Sequence, residues 1–254
     1  MLSTTMPPIV MYHSVTSGLS DPYTVRPERF AEQMRWMARR GRKGTSVGEL
    51  LKAWRSGTDR GLVGLTFDDG YTDFAEEALP VLERYGFTAT LFAVAGRLGG
   101  QSDWDAGYTA RPLLTADELR RVADAGIEIG SHGFSHVRLS TVDGDDLARE
   151  VQESRQILAD VTGQQVRGFC YPFGDFDDQA VNSVEAGYDY GCAVWRTGSA
   201  GLYTLPRATI DDSDSPSRLW ARRFRYWLKW ELPGRARADL PEPQESGNGQ
   251  PAGN

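Results

Sequence analysis

Two short segments carry the side chains best suited to chemistry. In Thr66-Phe67-Asp68-Asp69-Gly70, two adjacent carboxylates end an apolar run, next to a glycine that permits a tight turn. Consecutive residues at a strand end face different sides, so one carboxylate can bind a metal while its neighbour stays free as a base. In Ser131-His132-Gly133-Phe134-Ser135-His136, two imidazoles stand at i and i+4, a spacing that converges on one ion if the segment makes a helical turn. The His-Glu-x-x-His pattern of metalloproteases fails here for want of its Glu, so a base must come from elsewhere. Alone, the aspartates also read as an ordinary turn and the histidines as a helix start. Together, Asp69, His132 and His136 make a two-histidine, one-carboxylate set with open positions for water and substrate.

Composition narrows the classes. The chain has 254 residues, 40% of them hydrophobic, enough for a core of its own. A formal charge of -7, from 28 basic and 35 acidic residues, argues against a nucleic-acid partner. Two cysteines, Cys170 and Cys192, exclude a disulfide framework and a four-cysteine zinc site. With only three histidines, His13 is the single imidazole outside the pair above.

The elements that must hold these residues alternate. Strand-like runs at Ile9–Tyr12, Gly61–Phe67, Thr88–Val94, Ile127–Ile129, Val166–Tyr171, Tyr190–Val194 and Ala208–Ile210 are separated by helical patterns. The helices are expected at Pro27–Arg40, at Asp73–Tyr85 with a kink at Pro80, from a Thr115–Glu118 capping box to Gly126, and at Asp145–Val161 and Asp178–Ala186. Such β/α alternation predicts a parallel sheet, either a closed barrel or an open doubly wound one, with its chemistry at the C-terminal strand ends. His13, Asp68-Asp69, Ser131-His132 and Tyr171-Pro-Phe-Gly174 all stand at such ends. No Gly-x-Gly-x-x-Gly or phosphate-loop pattern follows an early strand, which counts against nucleotide chemistry.

At the ends, no signal segment or membrane span is legible, and a cytoplasmic protein is expected. Residues 215–231 predict an amphipathic helix, with Leu219, Trp220, Phe224, Trp227 and Leu228 on one stripe and basic residues largely outside it. It either packs on the barrel or lies on anionic lipid at the cytoplasmic face of a membrane, which would suit a lipid-linked glycan. Residues 232–254, with scattered Pro and Gly and no aromatic side chain, read as a disordered tail, so the folded domain is expected to span 1–231.

TFDDG at 66–70, SHGFSH at 131–136 and FCYPFG at 169–174 resemble, in order, the motifs of the polysaccharide deacetylase family, also called carbohydrate esterase family 4 or the NodB homology domain. The opening MYHSV and the late LPR at 205–207 resemble the branch whose third motif reads Phe-Ala-Tyr-Pro-Phe-Gly. The resemblance implies a distorted (β/α)7 barrel with one divalent metal ion, which hydrolyses the acetamide of an N-acetylated sugar or glycan. By the same resemblance, Asp69, His132 and His136 match the metal ligands, Asp68 the catalytic base, and the Phe173 backbone N–H an oxyanion donor. Tyr171, and Trp195 as pocket lining, are expected beside it. Nitrogen and carboxylate ligands suit zinc first, with cobalt, nickel or iron open.

The sequence departs from the family at two points. Cys170 stands where the third motif usually has the Arg that tethers the base, and Arg207 is the candidate replacement, against a surface arginine after a turn. Cys170 itself reads as a buried structural residue. No histidine follows His136 to serve as the usual late acid, so His13 is a candidate general acid or substrate ligand, or else a structural histidine. Protonated Asp68 is the other donor. Two rival functions keep most of these residues: a metal-dependent hydrolase of a small amide or cyclic imide, and a catalytically silent glycan-binding domain.

Overall fold

A computed structural model describes residues 7–19, 21–104, 107–194 and 201–215 of the chain. The strands among these residues are β1 (Ile9–Tyr12), β2 (Ser14–Val15), β3 (Thr24–Val25), β4 (Lys43–Thr45), β5 (Leu62–Phe67), β6 (Thr90–Ala93), β7 (Glu128–Ser131), β8 (Gly168–Cys170), β9 (Tyr190–Val194) and β10 (Leu205–Thr209). Seven of them pair in parallel around a ring, β1 to β5, then β6, β7, β8, β9 and β10, and back to β1. This is the (β/α)7 barrel implied by the resemblance. Short β4 lies along the first half of β5, while β2 and β3 pair outside the ring.

Seven α-helices lie among the described residues: α1 (Pro27–Arg39), α2 (Val47–Ser56), α3 (Leu79–Tyr85), α4 (Ala116–Asp124), α5 (Gly144–Ala148), α6 (Ser154–Thr162) and α7 (Asp178–Gly187). Pro27 opens α1, whose buried face includes Phe30, Met34 and Met37 at the predicted spacing. Thr115 and Glu118 form the expected capping box on α4, worth about 1 kcal/mol. Two predicted helices are interrupted by widened turns. Pro80 cannot donate to the Glu76 carbonyl, and a π-helical segment, Phe74–Ala78, precedes α3 where a simple kink was expected. A second π-helical segment, Arg149–Glu153, joins α5 to α6.

Helix α2 was not predicted, although Ser46 and Glu49 carry its N-terminal signal and the Ser46 hydroxyl accepts from the Glu49 amide at 3.3 Å. It closes the N-terminal mouth of the barrel. Val47, Leu50, Leu51 and Trp54 cluster with inward side chains of five ring strands, namely Ile9, Phe92, Cys170, Tyr190, Cys192 and Leu205. The Glu128 carboxylate at the start of β7 accepts from the Gly48 amide and from the Thr90 hydroxyl, at 3.0 and 2.8 Å. The opposite mouth is thereby left for chemistry. Between strands and helices, Tyr12, Phe30, Phe67 and Phe74 interlock, with ring centroids 4.7–5.7 Å apart. Each such contact is worth about 0.5–1.5 kcal/mol beyond its burial, and together they anchor the end of β5 from which Asp68 departs.

Candidate metal and catalytic site

The two motifs meet at the C-terminal mouth. Asp69 Oδ1 lies 3.4 Å from His132 Nε2 and 3.3 Å from His136 Nε2, and all three side chains are buried. A tetrahedral centre with bonds of about 2.0–2.1 Å separates its donors by roughly 3.3–3.4 Å, so this donor set fits a small divalent cation. His132 Nδ1 lies 2.7 Å from the Cys170 carbonyl and donates to it, which fixes the ring with Nε2 turned toward Asp69. Burial works to raise the Asp69 carboxyl, but its hydrogen bonds to His132 and His136 outweigh this and hold it well below the usual carboxylate range.

The histidines converge through a tight loop, not through the helical turn on which their spacing alone made convergence conditional. His132 follows β7, Gly133 has φ 81°, and His136 has φ 63°. Only three non-glycine residues among those described have positive φ: Asp69 (74°), His136 and Phe173 (60°). Each such conformation costs about 1–3 kcal/mol. The strain is concentrated on two candidate ligands and on the candidate oxyanion donor.

Asp68 faces the other way, into the top of the barrel. Arg207, at the middle of β10, grips it with both terminal nitrogens, Nη1 to Oδ1 at 2.6 Å and Nη2 to Oδ2 at 2.8 Å. Arg207 is 2% exposed, and its remaining donors reach the Thr66 hydroxyl at 3.0 Å and the Ala193 carbonyl at 3.3 Å. The sequence left Arg207 open between this role and a surface arginine, and the structure places it on Asp68. Burial pushes the Asp68 carboxyl up, but the guanidinium opposes this, with smaller help from His132 and His13, and the net effect is a lowered pKa. Cys170 Sγ packs 3.0 Å from Arg207 Nη2 and 3.5 Å from Asp68 Oδ2, and burial pushes its thiol pKa up. Asp68, His132 and Cys170 also bring donor atoms together. The guanidinium already holds both Asp68 oxygens, however, so the Asp69 set is the better seat for a cation.

His13, half-buried just past β1, rests its ring 5.0 Å from that of Tyr23. It is close enough to help hold both aspartates ionised. Phe173 sits in the turn after β8, its ring 4.6 Å from His136 and beneath the Arg138 guanidinium. Tyr171 does not join the site through its side chain. Its ring packs on Phe169 and Phe176, and its hydroxyl donates to the Tyr203 carbonyl at 3.0 Å, because the strand alternation turns it toward the core. Trp195, most of the predicted 215–231 helix and the 232–254 tail lie outside the described residues.

Two contributors were missed by sequence reasoning. Trp104 stacks on His136 with ring centroids 4.3 Å apart, and nothing in its surrounding sequence announces that role. Tyr71 lies beside Asp69, where burial first and the Asp69 charge second push its phenol pKa up, and its adjacency to the Asp-Asp-Gly turn was an available signal. Among the described residues, the exposed large hydrophobic side chains are Tyr108 and Phe173. Tyr108 packs edge-on against Tyr23, and so continues the aromatic row that starts at His13.

A sequence profile of polysaccharide deacetylases matches residues 55–191. That span contains Asp68, Asp69, His132, His136 and Phe173, but neither His13 nor Arg207. YxkH of Bacillus subtilis (strain 168), whose name classes it with polysaccharide deacetylases, is 29% identical over 221 residues, covering 84% of this chain and 75% of that protein. The poly-beta-1,6-N-acetyl-D-glucosamine N-deacetylase of Staphylococcus aureus (strain MSSA476) is 22% identical over 204 residues, or 75% of this chain and 69% of the relative. In fold, the chain is similar to the deacetylase PplD of Streptococcus pyogenes, solved in complex with acetate. The TM-score is 0.73 at 24% identity, covering 85% of this chain and 96% of the other.

Proposed function

The chain belongs to the polysaccharide deacetylase family, and from that premise we propose that it hydrolyses the acetamide of N-acetylated sugar units in a glycan, with Asp68 as general base. The carrying observation is the pair of adjacent carboxylates with opposite duties, Asp69 on the two imidazoles and Asp68 on Arg207. A divalent cation seated by Asp69, His132 and His136, zinc being the first candidate by donor chemistry, supplies the charge that acidifies water and steadies negative charge on the acetyl oxygen.

The protein's own groups do the rest. Asp68, kept ionised by Arg207, takes a proton from the attacking water as its oxygen bonds to the acetyl carbon. The Phe173 backbone N–H, presented by the left-handed turn after β8, receives the oxyanion. Cleavage of the C–N bond then needs a proton on the departing nitrogen. His13 is proposed as its donor, because the other two imidazoles belong to the cation set. The products are acetate and a free amine. Tyr108 and Phe173 offer exposed apolar faces on which sugar rings can rest.

Acetate release measured against free, polymeric and lipid-linked N-acetylhexosamines, with cyclic imides and small amides as the comparison arm, tests this reading. Asp68→Asn should abolish turnover and keep bound metal, whereas His132→Ala and His136→Ala should lose both. Imide hydrolysis without acetate release would replace the sugar substrate. Metal binding with no hydrolysis at all would favour a glycan-binding role. A His13→Ala enzyme with full activity and metal content would remove His13 from the mechanism.

A further inference from the structure

We propose that Glu150 is the positioning residue for both histidines: its buried carboxylate templates the 133–135 turn and thereby sets where His132 and His136 point. The inference rests on the reading that Asp69, His132 and His136 seat a cation. Glu150 belongs to the π-helical segment Arg149–Glu153 and is 5% exposed. Its Oε2 accepts from the Phe134 amide at 2.8 Å and the Ser135 amide at 3.0 Å, and its Oε1 accepts from the Ser135 hydroxyl. Two successive amides and a hydroxyl converging on one anion form a nest, and here the anion is a side chain of the protein itself. All its donors lie between the two histidines.

The contact is close and is braced from both sides. A Cβ at Gly133, where φ is 81°, would come within 2.9 Å of Glu150 Oε2, so the carboxylate lies flush against the turn. On the far side, the Gly133 and Phe134 carbonyls accept from the amides of Ala95 and Gly96 at 3.0 and 2.8 Å. Behind it, the Gly133 amide donates to the Ser131 hydroxyl, which pairs with the Ser154 hydroxyl, which donates to the Glu150 carbonyl at 2.6 Å. Arg149 lies over the Phe134 ring, 4.1 Å from its centroid. The loop between the histidines is thus held by one carboxylate against a fixed backbone, and the left-handed His136 is delivered in place. Removing that template frees the loop to relax and costs the pre-arranged donor spacing.

The test uses the full chain as wild type, Glu150→Ala, Glu150→Gln and Ser135→Ala. Three quantities are read: zinc affinity by chelator competition, the visible spectrum of the cobalt(II)-loaded protein, and the melting temperature of the metal-free protein. The Glu150 variants are expected to bind zinc about 10–100-fold more weakly and to shift the cobalt bands. Ser135→Ala, which removes one donor, should show a smaller loss of the same kind. Zinc affinity and cobalt bands within twofold of wild type, whatever the change in melting temperature, would overturn the inference. If the Glu150 variants fail to fold, Ser135→Ala decides by the same criterion. Wild type that binds neither metal would overturn the underlying reading of the site, a result the variants cannot mimic.

Discussion

Arg207 donates through both terminal nitrogens to Asp68, so replacing it has two separable effects. Arg207→Met leaves a buried carboxylate without its partner and should lower stability by roughly 3–5 kcal/mol, read by urea denaturation. It should also move the pH profile. Burial raises the Asp68 pKa and the guanidinium is the main force lowering it. Without Arg207, Asp68 stays protonated to higher pH, and if it is the base proposed above the acid limb of kcat/KM shifts upward; an unmoved limb would show that Arg207 does not set the charge of the proposed base. Arg207→Lys should rescue only part of either effect, since one ammonium cannot make the two parallel bonds. The four central residues were legible in the sequence because each motif is local: adjacent aspartates at a strand end, and histidines four apart. The Arg207 contact spans 139 residues; the sequence could nominate that arginine but not place it. Trp104 reaches His136 from a loop with no periodicity at all.

Among the elements, the turn after β8 is the most exacting. Gly174 has φ 64°, and a Cβ there would collide with Val194 Cγ2 on β9. Gly174→Ala should therefore displace the neighbouring Phe173 amide, with an expected cost of about 1–3 kcal/mol in stability and a fall in kcat larger than any rise in KM. A variant with normal kcat would argue against an oxyanion role for that turn. The longer apolar strands and the capping box of α4 were read correctly from pattern, whereas α2, with its Ser46 cap, was missed. Among the strands, β4 is Lys-Gly-Thr with no alternation to detect, and β10 begins three residues earlier than expected, with Pro206 inside it, a residue that pattern reading excludes from central strands. The π-helical segments were invisible because a widened turn leaves the helical apolar spacing nearly unchanged.

At the scale of the molecule, segments distant in sequence are tied around the mouth of the barrel. Asp21, between β2 and β3, pairs with Arg111 and also accepts from the Tyr23 amide and the Thr24 hydroxyl. Partial burial works to raise the Asp21 carboxyl, but these bonds win and its pKa is lowered. A carboxyl with a depressed folded-state pKa contributes stability above its unfolded value, near 3.9, and loses it as pH falls through the folded value. Asp21→Asn should thus cost on the order of 1 kcal/mol at neutral pH, and the gap to wild type should close as pH falls through the folded-state pKa; a gap that persists in acid would assign the effect to packing.

The ring is completed by β1, which pairs with β5 on one edge and β10 on the other. Asp68 follows β5 and Arg207 lies on β10, so Asp68, the proposed base, acquires its partner only when the first and last strands of the barrel have docked. Activity is then a clock for closure. During refolding from urea, far-UV signal from the helices should recover ahead of turnover, and the slow phase of regained acetate release should coincide with the step that seats β10.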